Sequence, residues 1–470
     1  MQEKLPVAGS LHVKYRKAAI RMNHKDERLG TEPLGRLMFS LAVPSVAAQL
    51  INVLYNIVDR IYIGHIPEYG DVALTGVGVT FPILTMISAF SAFAGMGGAP
   101  LASIQLGKQN KQKAEQILGN SAGLLVLCAV ILTVFFSVFK TPILYVFGAS
   151  DATITYARDY ITIYLIGTIF VQLALGLNAY ISGQGEAKIA MFSVLIGAVL
   201  NICLDPVFIF LFHLGVRGAA LATIISQAVS AAWVVRFLTS EKSVMRLTFK
   251  NMHLNGATIK MIAGLGISPF IMQSTESLVT ITLNTGLQKY GGDLYVGSMS
   301  ILMSIMQLIT IPVQGITQGI QPVISYNYGA GNIDRVKATL KRMILVCLSG
   351  TLVLAGVAIF FPEVYTGLFT NNKELLELTC KVMPVYFLGI SIFGIQCACQ
   401  TSFISLGQAK VSLFIALLRK IILLIPLAVI LPKFMGVMGI YRAEPVADTI
   451  SVLTTSVVFV ITMKKVLRNK

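Results

Sequence analysis

Charged side chains are scarce in this chain. Only 12% of its 470 residues are Asp, Glu, Lys or Arg, whereas 55% are hydrophobic. A soluble domain carries about 25% charged residues, so this chain lacks the charge that a water-facing surface needs. The composition excludes a soluble enzyme, a disordered regulator and a fibrous protein, and it predicts an integral membrane protein.

Catalytic and metal-binding signatures are also lacking. The chain has 5 His and contains no HExxH, GxGxxG or Walker A motif, so zinc-dependent hydrolysis and ATP-driven chemistry have no motif to support them. The 6 Cys form no CxxC pair, and Cys397 and Cys399 are interpreted as helix packing. We expect no enzyme activity, no bound cofactor and, because the polar N-terminal tail has no apolar h-region, no signal peptide.

Long apolar runs are what the sequence does contain. A membrane-spanning helix needs about 20 mostly apolar residues, and the ~10-residue alternating segments of a barrel are not found. The sequence predicts an all-α membrane protein with twelve transmembrane helices. Their approximate limits are 35–64, 72–100, 117–140, 156–181, 190–212, 216–238, 258–288, 293–322, 338–362, 378–405, 411–432 and 438–463.

The basic residues predict the orientation of these helices. The net charge is +16, and 26 of the 37 Lys and Arg lie in the two terminal tails and the even-numbered connections. Eight lie in the odd-numbered connections and the adjoining helix ends. By the positive-inside rule both termini are cytoplasmic, in a bacterial-type plasma membrane, and the basic balance does not indicate nucleic acid as a partner.

The two halves of the chain repeat each other at an offset of about 222 residues. The matching positions include Gly70/Gly292, Pro100/Pro322, Ser103/Ser325, Gly107/Gly329, Asn110/Asn332, Gly185/Gly407 and, at 221, Gly215/Gly436. Six helices is an even number, so the halves insert with the same orientation about a pseudo-two-fold axis along the membrane normal. The predicted organisation is a cytoplasmic tail (1–34), an N-lobe (35–240), a cytoplasmic linker (241–257), a C-lobe (258–463) and a second tail (464–470). Such a monomer would work by alternating access.

Acidic residues within the predicted helices indicate candidate functional sites, because placing a charge at the centre of the membrane costs about 2.5–3.5 kcal/mol. Asp59 follows Tyr55 by one helical turn, and Asp205 follows Asn201 by one turn. Pro206, which has no N–H, leaves a carbonyl of the preceding turn without its usual hydrogen bond. These pairs place several oxygen atoms on single helix faces.

The sixth predicted helix adds Ala219 and Thr223, again one turn apart. Carboxylate, amide, hydroxyl and carbonyl oxygens are ligands that hard cations prefer, and adjacent buried carboxylates equally suit a proton. The alternative interpretation is that Asp59 pairs with Arg60 and that Asp205 caps a helix end near an extracellular loop.

Several segments resemble the multidrug and toxic compound extrusion (MATE) transporters, in particular the MepA-like and DinF-like branch. They are residues 30–36, 55–59, 63–65, 201–206 and 328–332, together with Pro44, Pro100 and Pro322, and the resemblance covers the chain from about residue 30 onward. It implies that Asp59, Asn201, Asp205, the Thr223 hydroxyl and the Ala219 carbonyl bind the coupling ion, Na⁺ or H⁺. It also implies a role in the hydrogen-bond network or in drug contact for Tyr55, Gln172 and Asn178.

The second half departs from another MATE pattern, in which the seventh and tenth helices each carry an acid. Glu276 lies on the seventh predicted helix, but the tenth offers Gln396 and Gln400, and the repeat partner of Asp59 is Asn284. A full C-lobe ion site is therefore not expected. Glu276 is interpreted either as a counter-charge for a cationic drug or as a hydrogen-bonded acid, and Gln396 remains a substrate or network candidate.

Further charges lie on the last two predicted helices. Glu444 and Asp448, one turn apart, could neutralise Arg442 or face the cavity, and Arg419 and Lys420 have no assignment.

The expected function is a cation-coupled antiporter that exports amphipathic, often cationic, organic compounds across the lipid bilayer. A flippase of lipid-linked saccharides is the alternative, and it would need cationic residues along its groove. The sequence contains no catalytic constellation that would support a membrane-embedded enzyme.

Overall fold

The computed structural model describes residues 28–369 and 372–468. Within these ranges the chain forms helices joined by short connections, and no strand is present. The helices are α1 (Leu34–Gly64), α2 (Gly70–Gly107), α3 (Lys111–Val146), α4 (Ile154–Ile166), α5 (Thr168–Gly183), α6 (Ala187–Pro206), α7 (Val216–Thr239), α8 (Gly256–Ser274), α9 (Glu276–Tyr290), α10 (Asp293–Ala330), α11 (Ile333–Phe360), α12 (Pro362–Thr366), α13 (Lys373–Ser405), α14 (Ala409–Leu417), α15 (Ile425–Ile430), α16 (Pro432–Met435) and α17 (Val437–Arg468). Most of the predicted N-terminal tail and the end of the C-terminal tail lie outside the described residues.

Each of the twelve predicted segments overlaps a helix of the structure. Within the described ranges ten helical segments are long and apolar enough to span a membrane, and α4 with α5, which are bent by 60° at Gly167, form an eleventh. The remaining predicted span, 258–288, is divided at Thr275 into α8 and α9 and does not reach the same length and apolarity. Helices such as α2 and α3 extend beyond the predicted limits because an apolar run marks only the part of a helix within the bilayer.

Equivalent hydrogen bonds in the two halves confirm the predicted repeat. The Ser103 hydroxyl on α2 donates to the carbonyl of Gly183 at 2.6 Å. Its counterpart Ser325 on α10 donates to the carbonyl of Ser405 at 2.9 Å. Both serines therefore bond to the C-terminal end of a helix in their own lobe, and both donors and both acceptors are separated by the same offset.

The two lobes cross where α2 and α10 end. A Cβ atom on Gly107 would lie 2.0 Å from the carbonyl oxygen of Tyr326, and one on Gly329 would lie 2.1 Å from that of Ile104. No larger residue fits without separating the helices, so the absence of a side chain at both positions permits this close crossing. The repeat maps each of these two contacts onto the other, because Gly107 corresponds to Gly329 and Ile104 to Tyr326. The pseudo-two-fold axis therefore passes between α2 and α10.

The same end of the molecule carries further contacts between the lobes. The Leu29 side chain belongs to the N-lobe core, while its carbonyl accepts hydrogen bonds from Asn327 and Arg335 of the C-lobe at 2.9 and 3.2 Å. The lobes are thus packed together at the end where α2 and α10 end.

Candidate functional site

The N-lobe site is built where α6 and α7 face each other. Asn201 and Asp205 are buried on α6, and the Asn201 amide donates to the Asp205 carboxylate at 3.2 Å. The same amide nitrogen lies 3.4 Å from the Thr223 hydroxyl on α7, which donates to the Ala219 carbonyl at 3.0 Å. The structure therefore brings together the residues of α6 and α7 that the sequence analysis proposed.

Three buried oxygen atoms of this site are left without a hydrogen bond. Among the residues that the structure describes, Asp59 Oδ1, Asn201 Oδ1 and Asp205 Oδ2 have no partner. Leaving a buried polar atom unsatisfied costs about 1–3 kcal/mol, so three in one place indicate a ligand. All three are oxygens of the kind that Na⁺ binds, and either carboxylate could instead hold a proton.

Asp59 enters the site from α1. It is half-buried, and Tyr55, one turn before it on the same helix, lines a cavity together with Asn201 and Thr223. The described structure shows no ion pair between Arg60 and Asp59, and the Arg60 guanidinium lies over the Phe81 ring, 5.4 Å from its centre. The interpretation of Asp59 as an ion-pair partner of Arg60 is therefore wrong, and Asp205 is fully buried instead of capping a loop.

The end of α6 is shaped by Pro206. This residue has no N–H to donate, and the chain continues as a π-helical turn over Val207–Leu211. Such turns occur frequently at functional sites because they break the regular hydrogen-bond ladder. Here the break follows Asp205 directly.

A cavity runs from this site along the inside of the N-lobe. Among its lining residues are Asn52, Tyr55, Asn178, Ser193, Asn201, Thr223, Ser226 and Ser230. Tyr55 and Asn178, both singled out in the sequence, thus share a cavity with the proposed ion ligands. Asn178 is held in place because it donates to the Ala190 carbonyl at 3.3 Å and accepts from the Ser193 hydroxyl at 3.1 Å.

Gln172 lies elsewhere in the lobe. Its amide nitrogen donates to the Ile87 carbonyl at 2.8 Å, and its amide oxygen accepts from Ser91 at 3.0 Å. The fully buried side chain therefore connects α5 to α2. It belongs to a hydrogen-bond network but is not presented to a drug.

Tyr160 is a further polar residue of this region that the sequence did not predict. This buried tyrosine of α4 lies beside Asp59 and Thr223, with Tyr164 one turn further on, and the two rings are stacked at 6.1 Å. The one-turn spacing of the two tyrosines is the sequence signal that could identify them, since it places both rings on one helix face.

In the C-lobe, Glu276 is not a free counter-charge. It forms an ion pair with Lys420, whose ammonium group also donates to the Met272 carbonyl at 2.8 Å. The interpretation of Glu276 as a drug counter-charge is not supported by this arrangement, and the alternative of a hydrogen-bonded acid describes it better.

Glu444 and Asp448 pair with Arg419, not with Arg442. The Nε atom of Arg419 donates to Asp448 at 2.6 Å, and its Nη2 atom lies 3.4 Å from Glu444. Arg442 is exposed, with its guanidinium 3.8 Å from the sulfur of Met435. The predicted pairing with Arg442 is therefore wrong, because a π-helical segment, Leu418–Leu424, carries Arg419 and Lys420 into the lobe.

Other ligand types are not gathered in one place. Within residues 28–369 and 372–468 no group of three or more His, Cys, Asp or Glu could hold a metal ion. Gln396 is buried, and its amide oxygen has no partner in the described structure.

The MatE family model matches residues 44–207 and 269–430, once in each half. The chain belongs to the MatE family. It is 26% identical over 436 residues to the multidrug export protein MepA of Staphylococcus haemolyticus (strain JCSC1435), covering 91% of this chain and 94% of that protein. It is 25% identical over 439 residues to MepA of Staphylococcus aureus (strain MSSA476), covering 92% and 96%.

A crystal structure of a MATE protein in the bent conformation has the same fold, with a TM-score of 0.88 at 20% identity over 95% of this chain and 98% of that chain. The predicted family is thereby confirmed, and this MatE protein is a transporter with many membrane-spanning helices, not an enzyme.

Proposed function

We propose that this MatE family protein is a secondary antiporter that exports amphipathic, often cationic, organic compounds in exchange for Na⁺ or H⁺. The observation that carries this proposal is the group of three unpaired, buried oxygen atoms on Asp59, Asn201 and Asp205. The similarity to proteins named for multidrug export supports the class of substrate. We further propose that the protein acts as a monomer in a bacterial plasma membrane, with both termini cytoplasmic.

The elements that hold the ligands suggest how an ion would act on the lobes. Asp59 lies on α1, whereas Asn201 and Thr223 lie on α6 and α7. An ion shared among them would draw α1 toward the rest of the N-lobe. Helix α1 also packs on the C-lobe, where a Cβ on Gly319 would lie 2.7 Å from the Leu41 carbonyl.

A second contact joins α1 to α10. The Gln49 amide donates to the Gln318 side chain at 2.9 Å. Because α1 is shared between the ion site and the interface of the lobes, an ion that binds one position of α1 better shifts the equilibrium between the two states. This is the differential binding that antiport requires.

The flippase alternative is not favoured. It needs free cationic side chains along a groove, and its two candidates, Arg419 and Lys420, are both paired with carboxylates.

The test is efflux of a cationic dye from proteoliposomes under Na⁺ and H⁺ gradients imposed separately. We expect Asp59→Asn and Asp205→Asn each to slow gradient-driven efflux at least about tenfold, which corresponds to about 1.4 kcal/mol of lost coupling. Asp71→Asn is the matched control, because it removes the same charge at an exposed position of the N-lobe. Efflux at the unmodified rate in both site variants would refute the proposal.

A further inference from the structure

The linker between the two lobes is held against α3 by hydrogen bonds. The backbone N–H of Arg246 donates to the Glu115 carboxylate at 3.1 Å, and that of Asn255 donates to the Asn120 side chain at 2.7 Å. The Asn120 amide in turn donates to the Asn251 carbonyl at 3.3 Å. The linker therefore has a fixed position on the N-lobe.

Two glycines of α3 allow the linker to lie directly on that helix. A Cβ atom on Gly119 would lie 2.3 Å from the Asn251 carbonyl oxygen, and one on Gly123 would lie 2.6 Å from that of Met252. Spacings of three and four residues extend the same helix face through apolar side chains that are 42–67% exposed, namely Leu127, Val130, Val134 and Val138. Exposed apolar side chains on a membrane-spanning helix contact lipid, so the linker covers the beginning of a lipid-facing surface.

The other lobe shows what this face meets where no linker covers it. At the offset of 222 residues, Gly119 and Gly123 correspond to Lys341 and Leu345 of α11. Lys341 is exposed, and Leu345 is 55% exposed. A lysine one turn before an exposed leucine is typical of a helix that enters the bilayer with its ammonium group among the lipid headgroups. By the repeat, the linker lies on the N-lobe at the level of the headgroups.

An aromatic ring and a free ammonium group lie on the linker at this level. Phe249, the first residue of a 3₁₀ turn (Phe249–Met252), is 91% exposed, the highest value of any large apolar side chain that the structure describes. Lys250 beside it is exposed and forms no ion pair within the described residues, whereas Arg246 lies 3.8 Å from Glu241. Aromatic rings are stabilised at the membrane interface, and basic side chains are attracted there by anionic lipids.

We propose that the linker is a docking surface for the membrane, with Phe249 at the boundary between headgroups and acyl chains and Lys250 bound to the phosphate of an anionic phospholipid. Residues 241–257 contain three basic side chains and a single acid, Glu241, so their charge is complementary to such a lipid. Because the linker is bonded to α3, this contact anchors the N-lobe to one leaflet.

Quenching of tryptophan fluorescence by brominated lipids tests the depth of the linker. The single tryptophan of the chain is removed by Trp233→Phe, and Phe249→Trp is introduced into the full-length protein. In nanodiscs whose lipids carry bromine near the headgroup end of the acyl chains, we expect at least about twofold stronger quenching than in Gln112→Trp. Gln112 is exposed on the same face of α3, seven residues before Gly119 and about 10 Å further from the bilayer. Equal quenching in the two variants would overturn the proposal.

The same tryptophan measures the preference for an anionic headgroup. Brominated phosphatidylglycerol or brominated phosphatidylcholine is diluted into unbrominated phosphatidylcholine, and the quenching gives the ratio of their affinities at this position. We expect a preference for phosphatidylglycerol of about fivefold that is lost in Lys250→Gln, because one lysine near an anionic surface contributes about that factor.

Lys108→Gln is the matched control for charge. Lys108 is exposed, but it follows Gly107 at the crossing of the two lobes instead of lying on the lipid-facing surface, so we expect the preference to be unchanged. Equal affinities for the two lipids, or a preference that survives Lys250→Gln, would refute the binding of an anionic phospholipid. Neither measurement involves transport, so the outcome is independent of the proposed antiport.

Discussion

The crossing of α2 and α10 can be tested by adding one carbon atom. In Gly329→Ala the new Cβ would lie 2.1 Å from the Ile104 carbonyl oxygen, a distance that real Cβ contacts do not reach. The helices would have to separate by about 1 Å, and overpacking of this kind costs about 1–3 kcal/mol. Because this contact joins the lobes, the substitution destabilises the conformation in which the lobes are closed at this end.

A second glycine supplies the control. Gly350 lies within α11, and a Cβ there would meet nothing within 4 Å. Replacing glycine by alanine in a helix interior favours the helix by about 1 kcal/mol. We therefore expect Gly350→Ala to raise the midpoint of thermal unfolding and Gly329→Ala to lower it, measured on the purified protein in the same detergent.

The conformational effect can be measured separately. A penalty of 1–3 kcal/mol on the closed end changes the ratio of the two states by about 5- to 150-fold. Distances between spin labels on the two lobes at this end should shift toward longer values in Gly329→Ala but not in Gly350→Ala. If Gly329→Ala is as stable as Gly350→Ala and its distances are unchanged, the close crossing does not hold the lobes together.

Three further outcomes follow from the structure. Arg419→Met should destabilise the protein by about 3–5 kcal/mol because it leaves buried carboxylates unpaired, and Asp448→Asn in the same chain should recover part of the loss in thermal unfolding. Asn201→Ala should weaken Na⁺ binding or proton uptake at the N-lobe site about tenfold in an equilibrium binding measurement, since its amide oxygen has no partner among the described residues and is free to bind an ion. Ser103→Ala and Ser325→Ala should each cost about 1 kcal/mol, and unequal costs would argue against the equivalence of the two lobes.

The C-lobe shows why the sequence could not assign every charge. Arg419 and Lys420 are adjacent, so in a regular helix they would point 100° apart and one would face lipid. The π-helical segment Leu418–Leu424 changes that angle, and both side chains enter the lobe to meet acids from α9 and α17. The local sequence does not predict this π-helical segment, because the acids that pair with Arg419 and Lys420 are distant in sequence.

Local sequence patterns are sufficient to predict the membrane-spanning helices, the repeat of the two halves and the ligand types of the N-lobe site. Apolar run length, the spacing of the halves and the one-turn spacing of Asn201 and Asp205 act locally, so they can be recognised without a fold. The pairing of the C-lobe charges, the hydrogen bonds that bury Gln172 against α2, and the position of Tyr160 next to Thr223 could not be predicted from these local patterns. These depend on the angles and register at which helices far apart in the chain pack, and those are set by the packing of the whole bundle.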